Sequence, residues 1–116
     1  MSTEVIFFGW NRSVPGREQI SAQHFQEYIA YLAGLQANGA IDSFEAVLLG
    51  PHGGDMNGFI LIRGDKDQLN ELQTSAEYLD HITRGELHLE GSGAIRGVTG
   101  EGVMEWMSRW ASHIPA

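Results

Sequence analysis

The sequence contains no cysteine, one lysine and only three prolines among its 116 residues. Without thiols there can be no disulfide, no thiolate nucleophile and no cysteine-held zinc or iron–sulfur centre. Basic side chains number 7 against 15 acidic ones, a formal charge of −8, and the arginines are scattered from Arg12 to Arg109. No basic stripe is available to neutralise phosphates, which argues against nucleic acid or an anionic membrane as partner. Long hydrophobic runs are missing too, since nothing approaches the roughly 20 apolar residues of a membrane span. Met1-Ser2-Thr3-Glu4 lacks the basic start of a leader, and the apolar run Val5–Phe8 behind it is too short for one. A soluble, cytoplasmic protein is expected.

What the chain does have is apolar content of 42%, distributed through every segment. A chain of this length has room for one domain, here residues 1–116, and folding should bury about two-thirds of its surface. Val5-Ile6-Phe7-Phe8-Gly9-Trp10 reads as a first strand, closed by the turn-like Asn11–Gly16. A helix follows from about Arg17 to Ala37, with Ile20, His24, Phe25, Tyr28, Ile29, Leu32 and Leu35 at three- and four-residue spacing. Asn38-Gly39 ends it, glycine accepting the left-handed conformation a helix terminus favours.

Ile41–Leu49 and Gly58–Arg63 read as two further strands, joined through the turn formers Gly50–Asn57 in a long-looped hairpin. Asp65 and Gln68 have capping-box spacing ahead of Leu69, Leu72 and Ala76, and Ser75 is placed to start a separate turn carrying Tyr78, His81 and Ile82. Leu87–Thr99 is rich in glycine and serine, with a last strand expected near Ala94–Thr99. Glu101–His113 is amphipathic, with Val103, Met107, Trp110 and Ile114 on one stripe. The fold class is therefore α+β: a ferredoxin-like βαββαβ unit over about 3–99, with a four-stranded antiparallel sheet, plus a C-terminal helix over about 101–114.

Two helices cover one face of such a sheet, and the other face should alternate with polar residues. These strands do not alternate: Val5 and Phe7 oppose Ile6, Phe8 and Trp10, while Phe59 and Leu61 oppose Ile60 and Ile62. Both faces call for burial. Either a second copy packs sheet to sheet in a two-fold dimer, or the last helix folds back with Trp106, Met107 and Trp110. The dimer is favoured because a helix of this length covers only part of a four-stranded sheet.

This element order, the chain length and the two-sided strands resemble the dimeric α+β barrel superfamily. Phe25–Leu32 with Leu35 and Gly39 is similar to the first helix of YCII-related proteins, with Tyr28 where that helix carries its histidine. Ser75–His81 is similar to a serine–glutamate–histidine segment of antibiotic-biosynthesis-type monooxygenases. The resemblance implies a homodimer enclosing a small apolar pocket. It also implies a cofactor-independent oxygenase, isomerase or lyase acting on a hydrophobic or aromatic molecule, with no cofactor required.

The residues themselves offer several candidates, each with a plainer alternative. Glu45 and Arg63 interrupt an apolar strand face, and a hairpin centred near Gly54 sets them opposite each other. They form a cross-strand ion pair, or Arg63 anchors an anionic substrate and Glu45 lines its site. Tyr28 and His81 can act as a hydroxyl–imidazole acid–base pair; otherwise Tyr28 packs in its helix stripe and His81 caps a short helix. Trp10 can wall an aromatic pocket, and His52 in Pro51–Asp55 can sit at a cavity mouth, although that loop's glycines are already explained by turn geometry. The histidines show no HxxxH or HExxH spacing, so no metal is expected. Glu86, His88 and Glu90 would be ligand-like only on an extended strand. No GxSxG setting supports a hydrolase. Besides an enzyme, the pattern allows a non-catalytic ligand- or protein-binding dimer module, and a self-sealed subunit whose acidic surface meets another protein.

Overall fold

The computed structural model describes residues 3–115; Met1 and Ser2, on which the leader argument partly rests, lie outside the described residues. β1 (Glu4–Trp10) is followed by the short β2 (Arg12–Ser13), α1 (Glu18–Ala37), β3 (Ser43–Leu48) and β4 (Gly58–Gly64). Next come α2 (Lys66–Thr74), α3 (Ala76–His88), the short β5 (Leu89–Glu90), β6 (Gly93–Val98) and α4 (Glu101–Ala111). The main sheet runs β3-β4-β1-β6 with every neighbouring pair antiparallel. This is the ferredoxin-like α+β arrangement expected from the sequence.

Local chemistry explains most boundaries. Gly39, at φ +82°, ends α1 in the conformation glycine adopts without a Cβ penalty. At the start of α2, Gln68 N–H donates to Asp65 Oδ1 at 2.8 Å and Asp65 N–H donates back to Gln68 Oε1 at 2.7 Å, closing the capping box. Ser75 separates α2 from α3 by accepting from Tyr78 N–H.

The front face of the sheet holds the core. Ile6 pairs with Ile62 and Phe8 with Ile60 across β1 and β4, and these residues are at most 5% exposed beneath Leu32, Leu69, Leu72 and Tyr78. In α1 the buried stripe is His24, Tyr28 and Leu32, four residues apart, whereas Ile20 falls outside it and is exposed.

Several expectations are corrected. The β3–β4 register sets Arg63 opposite Ser43 and Glu45 opposite Leu61, so Glu45 and Arg63 are diagonal neighbours on one face. Their ion pair still forms at 2.9 Å because a shift of two residues preserves the face. α3 runs to His88, so His81 lies inside the helix instead of at its end, and Glu86, His88 and Glu90 share no strand face. The segment read as a turn after β1 forms a second small ladder, Arg12 with Glu90 and Ser13 with Leu89.

The last helix does not fold back over the sheet. α4 touches the body chiefly through Gly102, where an added Cβ would lie 2.9 Å from Val98 Cβ and 3.2 Å from Thr3 Cβ. Beyond it Met104, Trp106, Met107 and Trp110 are all exposed. The Cα radius of gyration is 15.8 Å, against about 13 Å for a compact chain of this length. The rear face is left without a helix over it: Phe7 stacks on Phe59 at 5.0 Å, Phe59 and Leu61 are only half-buried, and Ile95 is 66% exposed. Among the described residues no helix is long and apolar enough to cross a membrane.

Candidate functional site

Where α1 and α3 pack against each other above β1, four polar side chains line up. Ser21 Oγ lies 2.6 Å from His88 Nδ1. His88 Nε2 lies 2.7 Å from His24 Nδ1, and His24 Nε2 lies 3.0 Å from His81 Nδ1. The His24 and His81 rings are coplanar to within 6°, with centroids 5.3 Å apart, which is an in-line edge-to-edge bond; the His88 ring is turned 82° from His24. All three histidines are buried.

Helical spacing explains the assembly. His81 and His88 are seven residues apart, two turns along one face of α3, and His24 occupies the facing stripe of α1. Burial lowers the proton affinity of all three rings, with the Arg84 guanidinium the next cause in each case. His24 is taken down to about 4. At neutral pH the rings are therefore uncharged, each with one N–H and one lone pair.

One end of this row opens into a cavity of about 270 Å³. Phe8, Trp10, Phe25 and Tyr28 supply its aromatic walls and Leu48 and Leu89 its aliphatic ones; Ser21, His24 and His88 are polar lining, and Arg12, Ser13 and Glu18 line it as well. Trp10 and Phe25 meet edge to face at 6.2 Å, and Phe8 and Tyr28 likewise at 5.7 Å. The other end of the row reaches a surface cleft lined by His81, Tyr31, Glu27, Glu77, Asp80 and Arg84. There Arg84 donates to Glu27 at 2.8 Å, and the Tyr31 ring lies on His81 at 4.7 Å.

The candidates from the sequence are thus divided. His81 and Tyr28 come together with ring centroids 5.0 Å apart, but the expected hydroxyl–imidazole pair is not made. The Tyr28 hydroxyl is buried without a hydrogen-bond partner among the described residues, and burial raises its pKa far above the usual phenol value. His81 bonds to His24 instead. Trp10 walls the cavity. Arg63 and Glu45 lie on the rear face, away from it. His52 is exposed in its loop, where its Nδ1 accepts from Gly54 N–H at 3.1 Å and its Nε2 donates to the Met56 carbonyl at 2.6 Å.

The sequence does not single out Ser21 or His24 as functional, and it offers His88 only as a ligand beside Glu86 and Glu90 on an extended strand, whereas His88 lies in α3. The available signal was the seven-residue interval between His81 and His88, which carries meaning only once α3 is one continuous helix.

No protein-family model matches the chain, and no curated protein matches it. Solved structures do match in fold. A dimeric protein of unknown function and ferredoxin-like fold from Bacteroides fragilis NCTC 9343 superposes with a TM-score of 0.58 at 16% identity, covering 83% of this chain and 96% of that one. A dimeric ferredoxin-like protein of unknown function from Thermobifida fusca yx gives 0.59 at 13% identity, covering 85% and 93%. A protein of Chloroflexus aurantiacus J-10-fl, named as a candidate antibiotic biosynthesis monooxygenase, gives 0.54 at 12% identity, covering 84% and 94%. The chain therefore has the ferredoxin-like fold of these proteins, and the resemblance read from its sequence holds at the level of fold.

Proposed function

We propose that the protein is a homodimer whose subunits each bind a small aromatic or hydrophobic molecule and remove a proton from it. The observation that carries this reading is the Ser21–His88 contact of 2.6 Å at the edge of a cavity walled mainly by aromatic and aliphatic side chains. The apolar walls favour a flat, mainly apolar ligand, and the Ser21 hydroxyl, in contact with His88, is placed to meet its acidic hydrogen. As Ser21 Oγ takes that hydrogen, its own passes to Nδ1 of the neutral His88, leaving an enolate or phenolate in the cavity. Formation of such an anion is a first step open to an isomerase, a lyase or a cofactor-independent oxygenase.

Dimerisation is supported by the uncovered rear face and by the projecting α4, and the structurally similar proteins from Bacteroides fragilis and Thermobifida fusca are described as dimeric. The chain exposes 7446 Å², against about 6,300 Å² for a folded monomer of its mass. A second copy seated on Phe7, Phe59, Leu61 and Ile95, with α4 reaching over it, removes that excess.

The test uses 2-tetralone, a flat ketone with acidic hydrogens beside its carbonyl, in deuterium oxide. The protein should accelerate deuterium incorporation, and Ser21→Ala or His88→Ala should lower the rate by about 100-fold or more. Unchanged exchange in both variants overturns the catalytic role. Saturable binding of the related 2-naphthol without any ketone exchange would instead mark a non-catalytic binding module.

A further inference from the structure

We propose that Ser21, His88, His24 and His81 form one proton-conducting chain from the apolar cavity to the acidic surface cleft. The inference rests on the cavity reading above and assigns a role to the two histidines that reading does not use.

Each ring-to-ring link joins Nε2 of one imidazole to Nδ1 of the next: His88 Nε2 to His24 Nδ1, then His24 Nε2 to His81 Nδ1. Neutral rings in such a row must all carry their hydrogen on the same nitrogen. In one arrangement the Ser21 hydroxyl donates to His88 Nδ1, all three rings are Nε2–H, and His81 presents its N–H toward the cleft. In the other all three are Nδ1–H, His81 donates inward, and His88 donates to Ser21 Oγ. Any mixed state sets two N–H groups or two lone pairs against each other at 2.7 or 3.0 Å.

Passing from the first arrangement to the second moves exactly one proton. The substrate gives a hydrogen to Ser21 Oγ, Ser21 gives its own to His88 Nδ1, His88 gives its Nε2 hydrogen to His24 Nδ1, and His24 gives its Nε2 hydrogen to His81 Nδ1. His81 releases its Nε2 hydrogen to the cleft. No ring holds an extra charge before or after, and the reverse passage returns the proton to the substrate.

The groups facing the row suit this. Burial and Arg84 oppose a charge at both ends of the row; at His81 Glu77, Glu27 and Asp80 partly offset them, whereas at His88 Arg17 adds to the opposition. His24, in the middle, is least able to keep one because of its burial, with Arg84 and the neighbouring imidazoles adding to the effect. His24 and His88 are about 5% exposed or less, so rotating either ring to reset the row is obstructed by packing. The row resets without rotation when a proton leaves and later returns. The reaction class this favours is isomerisation of an enolisable carbonyl compound.

His24 and His81 are positioning residues, and the readout is therefore spectroscopic. In full-length protein carrying nitrogen-15 histidine at neutral pH, long-range proton–nitrogen spectra report which nitrogen of each ring bears hydrogen. The three rings should be uncharged and share one tautomeric sense. Ser21→Ala should change that balance at His81, two rings away, and His81→Phe should change it at His88. Rings in opposite senses, a charged His24, or changes confined to the ring next to each substitution would overturn the chain, even with ketone exchange intact. A ketone that does not exchange, with the tautomers still in step, would overturn the cavity chemistry and with it the use of the chain.

Discussion

The indole of Trp10 lies over Gly58, its cross-strand partner, so closely that a Cβ on Gly58 would sit 2.6 Å from the ring. Glycine is required there because no side chain fits between β4 and the ring that walls the cavity. Gly58→Ala must push the indole off the sheet or move the strand. We expect a loss of about 1–3 kcal/mol in urea unfolding and weaker binding of 2-naphthol by calorimetry. Unchanged affinity would show that Trp10 does not shape the binding site.

Stability should fall in acid through the buried histidines. His24 is lowered from 6.5 to about 4 in the folded chain, so between those values the unfolded chain binds more protons than the folded one. The contribution is intact above pH 6.5 and is lost as pH falls through the folded value. The loss reaches roughly 3 kcal/mol, with His81 and His88 acting in the same direction. Urea midpoints measured from pH 7 down to 4 should drop across this window, and His24→Gln should flatten the drop.

The rear face makes a prediction about assembly. Ile95 is 66% exposed in the single chain, so Ile95→Glu should alter subunit stability by only about 0.5 kcal/mol. Placed between two apolar sheets, the same carboxylate is strongly unfavourable. Sedimentation should show wild-type dimers and Ile95→Glu monomers. A wild-type monomer would refute the proposed interface.

In the single chain half-buried Arg63 and exposed Glu45 pair on the face opposite the cavity. Arg63→Ala should cost no more than about 1 kcal/mol and leave 2-naphthol affinity within about twofold, an effect below about 0.4 kcal/mol. A large loss of affinity would place the ligand on the rear face instead.

The elements that the chain's own pattern marks are those with short-range causes. The capping box of Asp65 and Gln68, the break at Ser75, the stop at Gly39 and the two-sided strands each depend on residues within a turn or a strand of one another. The Glu45–Arg63 face was legible for the same reason, and its register was not, because a long loop leaves the pairing to tertiary packing. The extent of α3 was missed because glycine and histidine after Thr83 weaken the helical signal. Gly85 is nevertheless tolerated there, with its missing Cβ position 3.3 Å from the Phe8 ring.

Periodicity, capping and turn chemistry thus determined the ferredoxin-like order of elements and the presence of an apolar surplus, since these act between neighbours along the chain. Tertiary structure alone decided that α4 projects, that β2 and β5 pair, and that His24 meets partners 57 and 64 residues away. Contacts over such distances depend on how whole helices settle on the sheet, and no local pattern encodes which nitrogen of one ring will face which nitrogen of the next.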